Sequence, residues 1–314
     1  MTSKVQMVRA FAPATIANVG CGFDVLGCAV NNPGDIVEVH RRKDSKIIVQ
    51  QITGDHGRLP RDGNNTIVVA INAFFELIKE PFGVDLYLEK GLPLASGLGS
   101  SAASAVAALT AVNQLAGNPL TNNQLLPCAL AAEKIVSGAS HPDNAAASLF
   151  GGFILIRSVQ PLDLVSLPVP KQLSIALLSP EAEIPTQDAR KILHSQIPLS
   201  DAISQWGNLA ALVASLHSND FDLMGRSLSD VIAEPSRSVL IPGYNEVRLA
   251  ALNNKAIGCS ISGAGPAVFA LTRSLPEAEL AGLAMKKAFL QAGLNAILYV
   301  SEINSIGSYV MEEH

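Results

Sequence analysis

No charged residue lies between Lys90 and Glu133 of this 314-residue chain. An uncharged stretch of that length belongs in a bilayer or in a protein core. The bilayer reading fails on composition. Gly, Pro, Asn, Gln and Ser interrupt the run, whereas a span needs about 20 mainly apolar residues. A pair of buried helices fits better. The stretch opens on "PLASGLGSSAASAVAAL", residues 93–109, where a glycine and hydroxyl turn runs into an alanine-rich segment of strong helix formers. Such a turn usually holds a phosphate, because backbone N–H groups converge there and the helix N-terminus adds partial positive charge.

Several phosphate-binding designs share that outline. The P-loop needs G-x-x-x-x-G-K-[ST], and no lysine follows these glycines. "GLGSSA" matches the dinucleotide pattern G-x-G-x-x-A, but "GLPLAS" separates the preceding strand from Gly97. The next acidic residue is Glu133, well beyond the expected place about 20 positions on. A third design fits without a lysine. Gly97 and Gly99 let the backbone approach an anion, while Ser100 and Ser101 cap the helix and donate hydroxyls. The residues alone also allow a purely structural turn above a buried helix.

Composition narrows the class. The chain is 48% hydrophobic and 16% charged with net charge −5, which describes a core-rich globular protein. The short cluster "HRRKDSK" at 40–46 is broken by Asp44 and reads as a solvated loop or strand end. No nucleic-acid partner is expected, since that needs a clustered basic face. Cys21, Cys28, Cys128 and Cys259 have neither zinc nor thioredoxin spacing, and read as core residues of a reducing, cytoplasmic compartment. The N-terminus "MTSKVQMVRAF" lacks an apolar core of signal-peptide length, and no membrane association is expected.

The chain reads as α+β, with strands and helices mixed but not strictly alternating. A strand over 5–11 leads into a turn-rich segment, and "GDIVEVHRR" and "KIIVQQI" read as paired strands. Thr66 is a plausible N-cap for a helix carrying Ile67, Ala70, Ile71 and Phe74. "VDLYLEK" is a strand, and the alanine-rich helix ends near Leu115. "NNQLLPCALAAEKIVSG" is a further helix, beginning anew near Pro127, and "GGFILIRS" is a strand. The proline-rich segment near 165–175 marks a boundary between domains 1–168 and 169–314. Beyond it, helices are expected over 186–195, 202–217, 220–232 and 276–292, with strands over 256–261, 266–272 and 295–301.

Other polar residues stand out. His141, Asp143 and Asn144 read as one turn flanked by apolar residues. Glu133 lies on an apolar helix, where a carboxylate is costly unless paired or bound to a cation. One glutamate and a serine hydroxyl suit Mg2+, which takes most other ligands from phosphate and water. Arg190 and Arg237 match carboxylate or phosphate geometry, although a surface ion pair is the default for any arginine. "SISGAGPAVFAL" is a second glycine-rich turn.

These pieces together resemble the GHMP small-molecule kinases. "PLASGLGSSAA" is similar to the family's phosphate loop, "APATIANVGCGFDVLG" to its first motif and "SGAGPAVFAL" to its third, in the family's order across nearly the whole chain. "SGASHPDNAAASLFGG" and "EPSRSVLIPG" resemble the branch acting on L-homoserine. Cys21 and Ile16 depart from that branch, which usually has proline and serine there.

The resemblance implies two domains, one like ribosomal protein S5 domain 2 and one ferredoxin-like. It implies ATP-dependent phosphorylation of the side-chain hydroxyl of L-homoserine, in threonine biosynthesis, with Mg2+ and a homodimer. By the same resemblance Pro93, Leu94, Ala95, Ser96, Gly97, Leu98, Gly99, Ser100, Ser101, Ala102 and Ala103 wrap the triphosphate. Ser101 and Glu133 hold Mg2+, and Asn65 lies near the adenine. Asp24 takes the substrate ammonium, and Arg190 and Arg237 take its carboxylate. Asn18 and His141 orient the hydroxyl, and Thr186 and Gly263 complete the pocket. Asp143 is supportive rather than a base, because a loose phosphoryl-transfer transition state asks little of the nucleophile. The rivals are another GHMP kinase, whose sugar or mevalonate substrate has no ammonium, and a catalytically silent ligand-binding relative.

Overall fold

The computed structural model describes residues 5–137 and 142–314. In chain order the elements are β1 (Met7–Ala17), β2 (Leu26–Arg41), β3 (Ile47–Thr53), α1 (Thr66–Ile78), β4 (Val84–Glu89), α2 (Ser100–Leu115) and α3 (Asn122–Ser137). Then come α4 (Pro142–Phe150), β5 (Phe153–Val159), β6 (Leu162–Leu167), β7 (Ser174–Pro180), α5 (Thr186–Lys191), α6 (Leu199–Ser218), α7 (Phe221–Ser227) and α8 (Glu234–Arg237). The chain finishes with α9 (Tyr244–Leu252), β8 (Gly258–Ile261), β9 (Val268–Thr272), α10 (Leu275–Gln291), β10 (Ala296–Glu302) and β11 (Tyr309–Glu313).

The first sheet runs β11-β1-β2-β4-β3, and β5 and β6 extend it from β2. Helices α2 and α4 pack on β1 and β2, and α1 and α3 pack around α2. Helix α2 buries alanines, leucine and valines on all sides, which explains its lack of charge. The second sheet runs β10-β7-β9-β8, all antiparallel, with α10 across one face. Its strand–helix–strand–strand–helix–strand order is the ferredoxin-like arrangement. The α+β expectation therefore holds. A division proposed at 168/169 separates the two sheets, and β11 then returns to pair with β1.

Several local expectations change. β2 and β3 do not pair; β4 lies between them, antiparallel to β2 and parallel to β3. The cap of α1 is Asn65, whose side chain accepts from the Ile67 N–H, and not Thr66. Helix α3 runs unbroken through Pro127. Only its solvent-exposed first turn loses a donor there, so the proline costs little. The helix expected over 220–232 stops at Ser227. The Asp230 carboxylate accepts the backbone N–H groups of Ile232, Ala233 and Glu234 and starts a new turn.

Candidate active site

The glycine-rich turn has its conformation forced by close approach. Gly97 (φ +83°) and Gly99 (φ +66°) are left-handed. A Cβ on Gly97 would sit 2.5 Å from the Ser262 carbonyl, and one on Gly99 would sit 2.1 Å from Thr15 Oγ1. The Thr15 N–H donates to Leu98 O (3.1 Å), Ser262 Oγ to Gly97 O (2.7 Å) and the Ala267 N–H to Ser96 O (3.0 Å). The first and third motifs therefore clamp the turn from both sides. Gly99 itself is the N-cap of α2 and no side chain caps the helix, contrary to the capping role expected of Ser100 and Ser101. The first-turn N–H groups are left to an anion.

Beneath the turn lies a buried charge network that the sequence did not disclose. Lys90 donates to Asp35 Oδ2, Ser100 O (3.0 Å), Ser100 Oγ (2.7 Å) and Ser104 Oγ (3.0 Å). The other Asp35 oxygen accepts the N–H groups of Gly91 (3.0 Å) and Leu92 (3.2 Å). The two side chains are 1% and 0% exposed, so this pair is fully desolvated and fully hydrogen-bonded. It ties the first turn of α2 to β2 and β4. The only sequence signal was Lys90 as the last charge before the uncharged stretch.

A cavity of about 330 Å3 opens on the turn, lined by Ala95–Gly97, Gly99–Ser101, Glu133, Asn144, Pro185–Gln187 and Gly263–Ala264. Burial raises the Glu133 carboxyl above its ordinary value, against the opposing pull of Ser101 and Lys90. The Ser101 hydroxyl is buried beside it. A buried hydroxyl next to a desolvated carboxylate is a donor pair that suits a hard divalent cation. No cluster of three His, Cys, Asp or Glu side chains occurs among the described residues. A cation here would therefore take its remaining ligands from phosphate and water.

Pro93, Leu94 and Ser96 line an adjoining cavity of about 620 Å3 together with Gly54–His56 and Glu181–Glu183. Leu98, Ala102 and Ala103 are buried, so only their backbone could face a ligand. Asn65 lines neither cavity; its side chain is spent on Pro60 O and the Ile67 N–H.

The first-motif loop carries three non-glycine residues with positive φ: Asn18 (+70°), Val19 (+44°) and Asp24 (+60°). Such strain persists only where surroundings over-determine it. Here Asn18 Nδ2 donates to Gly263 O (3.0 Å), and Asn18 Oδ1 accepts the Asp24 N–H (3.0 Å). Arg190, on α5 after Thr186, sends one terminal nitrogen to both oxygens of Asp24, at 2.8 and 2.7 Å. Phe23 lies between the two arginines, its ring centre 5.5 Å from the Arg190 guanidinium and 5.1 Å from that of Arg237. Arg237 is buried, and its Nη1 and Nε donate to Gly263 O (2.9 Å) and Ala189 O (3.3 Å). It braces the turn at Gly263 against α5.

Asp143 and Asn144 stand in the first turn of α4 rather than in a solvent turn. Asn144 Oδ1 accepts from Thr15 Oγ1 (2.7 Å), a contact that sequence separation hid. Burial, then the charges of Asp24 and Glu133, lifts the Asp143 carboxyl to about 7, against the Asn144 N–H and Arg190. His141, expected to orient the hydroxyl, lies outside the described residues.

An uncapped helix start, a desolvated carboxylate and the Asp24–Arg190 ion pair lie close together around the glycine-rich turn and the loop that packs on it. The sequence matches the GHMP kinases N terminal domain over residues 65–152 and the GHMP kinases C terminal domain over 211–291. The chain belongs to the GHMP kinase family. Within it, the chain groups with the homoserine kinases. It is 48% identical to the homoserine kinase of Chlorobaculum tepidum, covering 98% of this chain and 99% of that protein. It is 39% identical to that of Pyrococcus abyssi, covering 94% and 96%. The crystal structure of homoserine kinase from Cytophaga hutchinsonii superposes with TM-score 0.96 at 49% identity, covering 99% of both chains.

Proposed function

We propose that this chain transfers the γ-phosphoryl group of ATP to the side-chain hydroxyl of L-homoserine, giving O-phospho-L-homoserine and ADP. The observation that carries the reading is the Asp24–Arg190 pair, tied through Asn18 to Gly263 on the wall of the cavity at the phosphate turn. A zwitterionic amino acid presents the two charges that this pair exchanges: its ammonium replaces Arg190 on Asp24, and its carboxylate replaces Asp24 on Arg190. The pair is about one-third exposed on each side, at 39% and 34%. Exposed pairs contribute only about 0–1 kcal/mol, so substrate splits this one with little penalty. A sugar or mevalonate offers no ammonium for Asp24.

The turn over 93–103 holds the triphosphate through its backbone and the start of α2. Ser101 and Glu133 hold Mg2+, which when bound neutralises the charge of the phosphates. Asn18 fixes the strained loop that presents Asp24, and Thr186 and Gly263 close the acceptor pocket. Phosphoryl transfer is mostly positioning and charge neutralisation. Asp143 therefore serves as a buried electrostatic support, not as the base. The same reading makes the chain a cytoplasmic homodimer. No described helix is long and apolar enough to cross a membrane.

Phosphorus NMR of the reaction with Mg-ATP and L-homoserine tests this reading. A new phosphomonoester signal growing in step with ADP supports it. ATP turnover giving only inorganic phosphate contradicts it.

A further inference from the structure

A cavity of about 670 Å3 lies in the second domain and shares no lining residue with the two cavities at the phosphate turn. Its walls come from α7, the end of α9 with the turn after it, the start of β8 and the β9–α10 turn. Its size falls within the range of small-molecule sites, about 300–1,000 Å3.

The lining is basic. Arg226, Arg248, Lys255 and Arg273 face only two carboxylates, Asp222 and Glu277. Arg273 is already neutralised by its pair with Asp222. Arg226, Lys255 and, in part, Arg248 are not. Arg226 and Lys255 have no carboxylate partner among the described residues. Arg248 pairs only loosely, its buried Nε lying 3.9 Å from Glu234. A guanidinium is matched best by an oxyanion. Three cations gathered in one concavity also repel one another until an anion enters.

We propose that this cavity binds a small multivalent anion, a polycarboxylate or a phosphate ester, held by Arg226, Arg248 and Lys255 and separate from the catalytic cleft. The floor places such a ligand close to the acceptor loop. Leu228 lines the cavity, and its carbonyl lies against Gly20, between Asn18 and Asp24.

Calorimetric titration of the full chain, saturated with ADP to fill the phosphate turn, tests the site with citrate and with inorganic pyrophosphate as probes. We expect at least one probe to bind with one equivalent per chain. Citrate alone indicates a carboxylate ligand, pyrophosphate alone a phosphate ester, and both indicate that valence decides. The Arg226→Gln/Lys255→Gln double variant changes two exposed side chains, so its melting temperature should be preserved and its probe affinity weakened at least tenfold. The single Gln variants serve if the double variant does not fold. No binding of either probe, binding abolished by ADP, or an affinity that the variants leave within tenfold of the original overturns the proposal.

Discussion

One terminal nitrogen of Arg190 lies 2.8 Å from one oxygen of Asp24 and 2.7 Å from the other, across 166 residues of sequence. The two groups come from the first-motif loop and from α5, on either side of the proposed 168/169 division, so only the folded chain brings them together. If this pair is the amino-acid anchor, Asp24→Asn should raise KM for L-homoserine roughly 30-fold or more, about 2 kcal/mol for a lost charge-assisted contact. KM for ATP should stay within about twofold. Initial-rate kinetics in both substrates read the split.

Glu133 and Ser101 supply the donors assigned to the cation. Glu133→Gln removes the charge and keeps the shape. Turnover should fall by roughly 100-fold, and the Mg2+ concentration for half-maximal rate should rise. A Mg2+ titration at saturating ATP checks both. An unchanged Mg2+ requirement would remove Glu133 from that role.

Lys90 is the only described cation bonded to Asp35, and both are desolvated. Lys90→Met strands a buried carboxylate and should cost about 3–5 kcal/mol in denaturant unfolding. Adding Asp35→Leu should recover much of that stability. Lys90→Met should also raise KM for ATP, and that rise should persist in the double variant, because Ser100 has still lost the Lys90 amino group that anchors it beneath the turn.

Asp143 ties stability to pH. Its carboxyl titrates at about 7 when folded against an ordinary value of 3.8. Between those values the folded chain keeps a proton that the unfolded chain has released, so stability falls as pH rises through this window. The full shift corresponds to roughly 4 kcal/mol, part of it shared with Asp24 and Arg190. Asp143→Asn should therefore be more stable than the parent by roughly 2–4 kcal/mol at pH 8, with the gap closing below pH 4. Its kcat should stay within about tenfold of the parent value. A fall of several orders of magnitude would make Asp143 the base.

Local chemistry was legible in the sequence, and long-range pairing was not. The glycine turn and the helix carrying Glu133 rest on local spacing, each of the three motifs is a short continuous segment whose order follows the family resemblance, and the α+β class follows from the mixture of local elements. The insertion of β4 between β2 and β3 is a non-local choice that neither strand records. Asp35 and Lys90 each read as an ordinary charge at a strand end, and only folding brings them together. Thr15 and Asn144 are hidden in the same way. Arg237 was read as a ligand donor, yet most of its bonding goes to the carbonyls of Ala189 and Gly263, which no spacing could reveal. The strand β11 closes the first sheet from the far end of the chain, beside β1, and the segment "YVMEE" is too short to announce itself.

The most direct measurement is ADP release with Mg-ATP across a set of acceptors: L-homoserine, L-serine, L-threonine, mevalonate, galactose and 4-hydroxybutanoate, which keeps the hydroxyl and carboxylate but lacks the ammonium. The account predicts turnover with L-homoserine and a kcat/KM for 4-hydroxybutanoate lower by at least 100-fold. Equal turnover of 4-hydroxybutanoate, or preference for mevalonate or galactose, would contradict the zwitterion pocket built on Asp24 and Arg190.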